Sequence, residues 1–388
     1  MPSTTSRAAV LTGPHTIRTR EIPLPGLGAD DALLRVEACG LCGTDVEQYR
    51  GELPRSDYRT PFPAVPGHEP LGVISEIGDE AARRWGVQPG DRVAVRPFFG
   101  CGRCEACAAW EPERCPGRGG TYGFIDVDRA PGLWGGYADV LYLDKLSVVR
   151  KIDPTLPAAV AAMYNPLASG MSWAKTVPRT RQGDRVVILG SGVRGLCCVI
   201  GAKEAGARQV VVTGLARDAH KLELARRFGA DDTLVVEPGT DVGGALRDIT
   251  GGGAEVVVDT TPDAPDSLRH AIEVGVRGTR IVLVGLKGPR SVDGIRPDDI
   301  THKEIELRGV IATPFAEFEN AITVLESRRY AMGEMHTHSF DVPDAERALR
   351  TFADAADGAV HVAIVPGDRA GSVPRAAGAL EVEEESSR

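Results

Sequence analysis

The second half of the chain alternates two kinds of segment, and this alternation limits what the chain can fold into. From about residue 156, short apolar runs rich in β-branched residues are separated by helical patterns such as HKLELARRF. The apolar runs cover residues 185–189, 209–213, 233–236, 255–259, 280–284 and 305–311. Strands that alternate with helices predict a parallel sheet covered on both faces. The sequence therefore predicts an α/β fold, with a parallel-sheet domain over about 156–310.

The first 155 residues have a different texture. Short β-like runs punctuated by glycine and proline include 32–37 (ALLRVE), 71–77 (LGVISEI) and 92–95 (RVAV). No long helical period appears among them. We therefore expect an antiparallel or barrel-like β domain with long functional loops over residues 1–155.

The pattern changes again after residue 310. A helix is predicted near 315–328, with short strands near 339–342 and 360–365. We expect residues 311–366 to return to the first domain. Residues 367–388 combine Gly, Ser, Pro and Ala with an acidic EVEEESSR end, a composition typical of disorder.

Composition and charge favour a protein that acts on small molecules. A net charge of −9 argues against a nucleic-acid partner, because phosphate binding needs clustered Lys and Arg. The most apolar run, 186–202, is interrupted by glycines and an arginine, which argues against a membrane span. The first residues, MPSTTSRAAVLTGPH, lack the charged-then-apolar order of a signal peptide. The expected location is therefore the cytoplasm.

Four of the eight cysteines fall within fifteen residues, with the spacing C-x2-C-x2-C-x7-C. They are Cys101, Cys104, Cys107 and Cys115. Four thiolates on one short loop can close a tetrahedral shell around zinc, which leaves no position for water. Without an export signal, such clustered thiols are better explained as metal ligands than as a disulfide scaffold. The sequence thus predicts a structural zinc site.

A glycine-rich motif, G-x-G-x-x-G, follows the apolar run at 185–189 and opens an apolar helical segment. In that context the glycines permit a tight turn, a close approach to a pyrophosphate and close helix–strand packing. The helix N-terminus then supplies N–H donors to the phosphates. The candidate cofactor contacts are Gly190, Ser191, Gly192, Val193 and Gly195. The alternative is a strand–helix turn that binds no ligand.

The second strand of this unit should end in a carboxylate if the cofactor is NAD, because that group binds the ribose 2′-hydroxyl. Gly214 stands there instead, and Arg217 and Lys221 follow shortly after. A missing acid with a nearby arginine favours a 2′-phosphate, so the sequence leans slightly to NADP. The alternative is that NAD binds through backbone contacts and Arg217 is solvated.

A second metal site is possible near Cys42, in CGLCGTD, and near His68 and Glu69, in PGHE. One thiolate, one imidazole and one carboxylate make a plausible ligand set for a catalytic zinc with an open position. On their own, these three residues are a weak metal signal.

The order of the motifs is more specific than any one of them. GLCGTD, PGHEPLGVISEIG, PGDRVAV, the four-cysteine loop and GSGVRGL follow one another with a spacing that resembles the zinc-containing medium-chain alcohol dehydrogenases. The resemblance runs from about residue 8 to 365 and is greatest to the polyol and threonine dehydrogenase branch. It implies a GroES-like β domain built from both ends of the chain, with a Rossmann NAD(P)-binding domain inserted between them.

The resemblance also implies roles for single residues and two zinc ions per chain. Cys42 and His68 match catalytic zinc ligands, and Glu69 matches a ligand in many members. Thr44 matches the hydroxyl that binds the substrate alcohol and starts the proton relay. The four cysteines match the structural zinc lobe, at about 96–118.

Two positions depart from the family pattern. Asn165, in YNPLASG, stands where a further zinc ligand is usually Cys, Asp or Glu. Its amide oxygen is a neutral, weaker ligand, but a zinc ion with Cys42, His68 and Glu69 is already neutralised. Glu47 stands where many relatives carry the histidine that passes the proton to solvent. It is either a proton acceptor or a solvated carboxylate.

The resemblance implies a zinc-dependent oxidoreductase that transfers a hydride between a secondary alcohol, or its ketone, and NAD(P). One alternative is a polyol or amino-alcohol dehydrogenase that uses the same residues. Another is a zinc-stabilised binding protein without catalytic activity. Family members are dimers or tetramers, so a homo-oligomer is expected, and the chain offers nothing that chooses between the two.

Overall fold

The computed structural model describes residues 4–53, 61–117 and 120–367. Two large β-sheets dominate it, and helices lie between and around them. Of the tail predicted to be disordered, residues 368–388 lie outside the described residues. Among the described helices, none combines the length and the apolar character that crossing a membrane requires.

The first part of the chain forms mainly antiparallel strands, as its short β-like runs predict. They are β1 (Thr5–Gly13), β2 (Thr16–Pro23), β3 (Ala32–Gly40), β4 (Pro70–Ile77), β5 (Arg92–Val95), β6 (Phe98–Phe99), β7 (Gly120–Thr121), β8 (Val140–Leu143) and β9 (Val149–Lys151). β1 and β2 form a hairpin, and β4 lies between β3 and β5 in a larger sheet. Leu34 and Val36 pack with Ile74 and Val93 in a buried cluster on this sheet.

Short helices connect these strands. They are α1 (Gly43–Arg50), α2 (Asp79–Trp85) and α3 (Glu105–Ala108), and α4 (Ala158–Ala161) and α5 (Tyr164–Met171) follow the last strand. α5 continues into one π-helical turn at Ser172–Thr176.

The second sheet is fully parallel, as the alternation predicts. Its strands are β10 (Arg185–Leu189), β11 (Gln209–Leu215), β12 (Asp232–Val236), β13 (Ala254–Asp259), β14 (Gly275–Leu283) and β15 (Glu306–Gly309), in the spatial order β12-β11-β10-β13-β14-β15. The connecting helices are α6 (Val193–Glu204), α7 (Ala219–Arg227), α8 (Val242–Thr250), α9 (Asp266–Val274) and α10 (Pro297–His302). Val186 and Ile188 belong to one buried cluster, whereas Val187 and Leu189 belong to another. Both faces of β10 are therefore covered, and the α/β fold is confirmed.

The end of the described chain returns to the first sheet. After α11 (Phe315–Ser327), β16 (His336–Phe340), α12 (Ala345–Ala353) and β17 (His361–Ile364) follow. β17 pairs with β3, so that Ile364 lies opposite Cys39. β16 begins three residues before the predicted start at 339, because His336 and His338 pair with β17 although neither residue is apolar.

Helix α5 lies where the two sheets meet. The Tyr164 hydroxyl is 3.0 Å from the carbonyl oxygen of Pro70 and 2.7 Å from that of Val95, which ties the helix to the first sheet. On its other side α5 packs closely against α6, since a Cβ added at Gly170 would lie 2.3 Å from the backbone of Cys197. This packing fixes Asn165 beside the start of β4.

Candidate active site and metal centres

A cavity of about 390 Å³ lies between the end of β3, the start of β4 and the first turn of α6. It is lined by residues of both sheet regions. Most of the residues that the sequence singled out for catalysis, with part of the glycine loop, line this one cavity: Cys42, Thr44, Glu47, His68, Glu69, Asn165, Gly192 and Val193.

Cys42, His68 and Glu69 converge at the floor of this cavity. One ligand atom from each lies within 4.8 Å of the other two, and all three residues are buried. Cys42 precedes α1 just after β3 ends, while His68 and Glu69 lead into β4, which pairs with β3. Sulfur, imidazole nitrogen and carboxylate oxygen at this spacing fit a zinc ion with an open coordination position.

Asp45 orients two members of this group from the first turn of α1. Its Oδ1 accepts a hydrogen bond from Nδ1 of His68 at 3.0 Å, and its Oδ2 accepts one from the backbone N–H of Cys42 at 2.8 Å. With Nδ1 protonated toward the carboxylate, Nε2 of His68 is left free to bind a metal. Asp45 is fully buried, so this arrangement is shielded from water.

Arg194, in the first turn of α6, places a positive charge against the same group. Its Nη2 lies 3.1 Å from Sγ of Cys42 and 3.0 Å from Oε1 of Glu69. Burial alone would raise the pKa of the Cys42 thiol, but Arg194 and His68 lower it to about 6. A thiol with that pKa is largely a thiolate at neutral pH, the form that binds metals.

Burial of the Glu69 carboxyl disfavours its charged form more than the neighbouring charges favour it. Burial raises its pKa to about 7, although the guanidinium of Arg194 opposes the shift. Asn165 Nδ2 donates to Oε1 of Glu69 at 3.1 Å, so the amide contacts a candidate ligand directly. The other carboxylate oxygen, Oε2, is buried without a hydrogen-bond partner among the described residues.

Thr44 and Glu47 lie on α1 beside the three candidate ligands. Oγ1 of Thr44 is 3.6 Å from Sγ of Cys42, and Glu47 lines the same cavity one turn further along the helix. Burial, followed by repulsion from Cys42, raises the pKa of Glu47 to about 7. Glu47 can therefore exchange a proton near neutral pH at the cavity wall, and the Thr44 hydroxyl can relay one as a hydrogen-bond donor and acceptor.

The four clustered cysteines come together on a separate lobe around α3. The sulfur atoms of Cys101, Cys104, Cys107 and Cys115 all lie within 4.8 Å of one another. Gly100 makes this closure possible, since a Cβ there would lie 2.3 Å from Sγ of Cys107. Four sulfur donors at this spacing fit a tetrahedral zinc ion. Residues 118 and 119, at the end of the expected lobe, lie outside the described residues.

The glycine loop has the geometry that a dinucleotide site requires. Gly190 has φ of 103°, which favours glycine, and a Cβ at Gly195 would lie 2.0 Å from the carbonyl oxygen of Gly190. Gly192 caps α6 and has open space around it. The free N–H groups of this helix end can therefore be approached closely by a phosphate.

Gly214 and Arg217 follow at the carboxyl end of β11. A Cβ at Gly214 would lie 2.7 Å from the Ser191 hydroxyl, so β11 ends against the glycine loop. Arg217 is exposed in the short 3-10 turn Ala216–Asp218, and Lys221 pairs with Asp218 at 2.7 Å. Both cations lie near the strand end where a ribose is bound in this class of fold.

Sequence reasoning missed Asp45 and Arg194. The signal for Asp45 was its position three residues after Cys42 in a helix start, where a side chain can accept from the preceding backbone N–H. Arg194 occupies a variable position of the glycine motif, and that motif says nothing about where its side chain points.

Comparisons with known proteins agree with this geometry. The model of the alcohol dehydrogenase GroES-like domain matches residues 28–153, and that of the zinc-binding dehydrogenase domain matches residues 194–327. A protein named probable alcohol dehydrogenase from Mycobacterium tuberculosis is 44% identical over 366 residues, covering 93% of this chain and 98% of its own length. The erythritol/L-threitol dehydrogenase of Mycolicibacterium smegmatis is 32% identical, covering 93% of this chain and 97% of its own.

Solved structures share the whole architecture. An alcohol dehydrogenase of Thermotoga maritima superposes with a TM-score of 0.83 at 26% identity, covering 94% of this chain and all of its own. A zinc-binding dehydrogenase of Sinorhizobium meliloti, solved with NADP bound, superposes with a TM-score of 0.81 at 27% identity, covering 94% of this chain and all of its own. The chain therefore belongs to the zinc-containing alcohol dehydrogenase family, and it is an NAD(P)-dependent oxidoreductase that acts on the CH–OH group of an alcohol.

Proposed function

We propose that the cavity is the catalytic site of a secondary-alcohol dehydrogenase, with Cys42, His68 and Glu69 as ligands of the catalytic zinc. The observation that carries this proposal is that the three donor atoms and the glycine loop open into one cavity. An alcohol bound there would lie next to both the zinc ion and the cofactor, as hydride transfer requires.

The chain's own residues would hold the substrate and move its proton. When bound, zinc supplies a Lewis acid for the alcohol oxygen, and the nicotinamide accepts the hydride. The Thr44 hydroxyl would accept the alcohol proton, and Glu47 would take it onward, because its raised pKa matches neutral conditions. Asp45 would keep His68 in the orientation that leaves Nε2 free. The hydrogen bond from Asn165 to Glu69 supports a positioning role for the amide rather than ligation by it.

Replacing Cys42 tests the catalytic site. In Cys42→Ala we expect turnover to be lost and bound zinc to fall by one ion per chain, while NADPH binding is retained. Cys198→Ala is the matched control, because it removes a buried thiol of α6 that belongs to neither sulfur-containing cluster. Full turnover by a Cys42→Ala protein that lacks the zinc would refute the proposal.

We also propose that Cys101, Cys104, Cys107 and Cys115 hold a second, structural zinc, so that each chain binds two ions. The four converging sulfur atoms support this assignment, since their closed donor set leaves no coordination position for a substrate. Elemental analysis of the purified protein tests the number directly.

For the cofactor we propose NADP. Gly214, near the end of β11, carries no carboxylate that would repel a 2′-phosphate, and Arg217 can pair with that phosphate. Arg217→Ala should weaken NADPH binding about tenfold and leave NADH binding unchanged, because one charge-assisted contact is worth roughly that much. Arg226→Ala, an exposed arginine further along α7, is the control. Equal losses for both cofactors would contradict the assignment.

The cavity walls away from the metal ligands favour an apolar secondary alcohol as the substrate. They are formed largely by Leu53, Phe98, Phe124, Leu286, Ile311 and Phe318. A polyol is the second candidate, since one relative is named an erythritol/L-threitol dehydrogenase. Initial rates on matched secondary alcohols and polyols, followed by nicotinamide absorbance, distinguish the two.

We further propose a cytoplasmic homodimer or homotetramer. Within each chain, residues 1–155 and 311–366 would form the catalytic domain around a cofactor domain at 156–310. The pairing of β17 with β3 supports this division, because it joins the two outer segments in one sheet. Light scattering of the purified protein tests the oligomeric state.

A further inference from the structure

Arg194 is the one residue of the glycine loop whose side chain lies against the candidate catalytic metal ligands. Its Nη2 bridges Sγ of Cys42 and Oε1 of Glu69, at 3.1 and 3.0 Å. Its Nη1 hydrogen-bonds the hydroxyl of Ser169, and the guanidinium lies 5.3 Å from the ring centre of Trp173. Four neighbours thus hold this cation in place.

Two of these neighbours, Cys42 and Glu69, are the residues whose donor atoms a zinc ion would bind. Zinc binds a carboxylate oxygen at about 2.1 Å, so an ion on Oε1 of Glu69 would lie within about 5 Å of Nη2. Two positive charges so close in a buried site repel each other, and each is attracted by the same thiolate and carboxylate. Zinc and the guanidinium therefore compete for Cys42 and Glu69.

We propose that Arg194 is a built-in competitor of the catalytic zinc: it neutralises Cys42 and Glu69 in the metal-free site and lowers the affinity of that site for zinc. The proposal rests on the proposed zinc-binding role of Cys42, His68 and Glu69. Without a counter-ion, two buried anions side by side would destabilise the metal-free protein. The contacts with Ser169 and Trp173 do not use the zinc donors, so they remain available to the guanidinium when zinc is bound.

Zinc affinity of the full-length protein tests this competition. The second zinc is titrated into protein that holds only its first ion, against a chromophoric chelator, and total zinc is measured by mass spectrometry. Arg194→Met, which keeps the length but not the charge, should bind the second zinc at least tenfold more tightly than the wild type. Arg194→Lys, which keeps a cation, should remain within a few-fold of the wild type. Arg185→Met removes an ion-paired arginine remote from the site, and it should leave the affinity for the second zinc unchanged.

Thermal unfolding gives a second readout that does not depend on activity. Metal-free Arg194→Met should unfold at a lower temperature than the metal-free wild type, and zinc should remove the difference. Equal or weaker zinc binding by Arg194→Met would overturn the competition while leaving the proposed function intact. If neither protein takes up a second zinc, the proposed catalytic metal site is wrong, and the inference fails with it.

Discussion

Asp45 contacts two of the residues that we propose to meet at the catalytic zinc. Its two carboxylate oxygens fix the imidazole of His68 and the backbone of Cys42, so it sets the relative placement of two donors that lie 26 positions apart in sequence. A carboxylate behind a metal-binding histidine also makes the imidazole a stronger donor. At the scale of single residues, the proposed metal site therefore depends on a side chain that is not among its candidate ligands.

Replacing Asp45 with Asn should weaken zinc binding at the catalytic site by about 10- to 100-fold. The amide places an N–H group where a carboxylate oxygen now accepts, so one of the two contacts is lost. Chelator competition measures the affinity. Asp241→Asn, at the start of α8, is the control because that side chain only caps a helix remote from the cavity. Unchanged zinc affinity in Asp45→Asn would show that the histidine is oriented by other contacts.

Glu47 should make both the rate of alcohol oxidation and the stability of the fold depend on pH. Burial raises its pKa to about 7, so the proposed proton acceptor becomes protonated as pH falls below 7, and alcohol oxidation should slow on that side. Because the folded pKa exceeds the unfolded value of 4.5, ionising Glu47 destabilises the fold. The free energy of unfolding should therefore fall as pH rises from 4.5 through 7, by on the order of 1 kcal/mol after solvent screening.

Glu47→Gln should remove both effects. Its rate should be lower and nearly independent of pH between 5 and 7.5, and above pH 7 it should be more stable than the wild type. Rate profiles and denaturant unfolding at pH 5 and 8 measure these two quantities. If rate and stability of Glu47→Gln changed with pH as they do in the wild type, the pH dependence would belong to another group.

At the scale of elements, the turn from β10 into α6 combines two different requirements for glycine. Gly195 has no room for a side chain, because the carbonyl oxygen of Gly190 lies against it. Gly192 has open space, and only a ligand approaching the helix end would meet a side chain there. Gly195 thus serves the packing of helix on strand, and Gly192 would allow the close approach of a cofactor phosphate.

Alanine substitutions should separate these two requirements. Gly195→Ala should destabilise the protein by about 2 kcal/mol or more, since the Cβ forces α6 away from β10. Gly192→Ala should leave the unfolding midpoint nearly unchanged but weaken NADPH binding at least tenfold. Denaturant unfolding and fluorescence titration with NADPH measure the two effects. Similar unfolding midpoints for the two variants would contradict this division.

At the scale of the whole molecule, the sequence predicted those features that repeat or that have a fixed spacing. The parallel strands follow from apolar runs such as 185–189, and the sulfur cluster follows from four closely spaced cysteines. The return of the chain to its first domain was expected from the change of pattern after residue 310 and from family resemblance, but the four residues of β17 do not indicate which strand they pair with. Contacts across long separations, such as Arg194 with Glu69, could not be predicted because they depend on how α6 packs against β4.

Metal removal should separate the two zinc sites. The proposed catalytic zinc would have three protein ligands and an open position, whereas the four cysteines would close the shell of the second ion, so a chelator should remove the catalytic zinc first. Activity should disappear in that first phase with little change in the unfolding temperature. Loss of the second zinc should then lower the unfolding temperature, since a closed site contributes folding energy. Zinc content, activity and unfolding temperature are followed together during chelation. A single phase in which all three change would contradict this order.

The pairing of β17 with β3 also has a consequence for how the protein folds during synthesis. Ile364 lies opposite Cys39, so β17, one of the strands that pair with β3, leaves the ribosome more than 300 residues after β3 itself. The parallel sheet over 185–309 has all its strands by then and can form first. Contacts so distant along the chain slow folding. The sheet beside Cys42 therefore stays incomplete until translation is nearly finished, and the proposed catalytic metal site can close only after that.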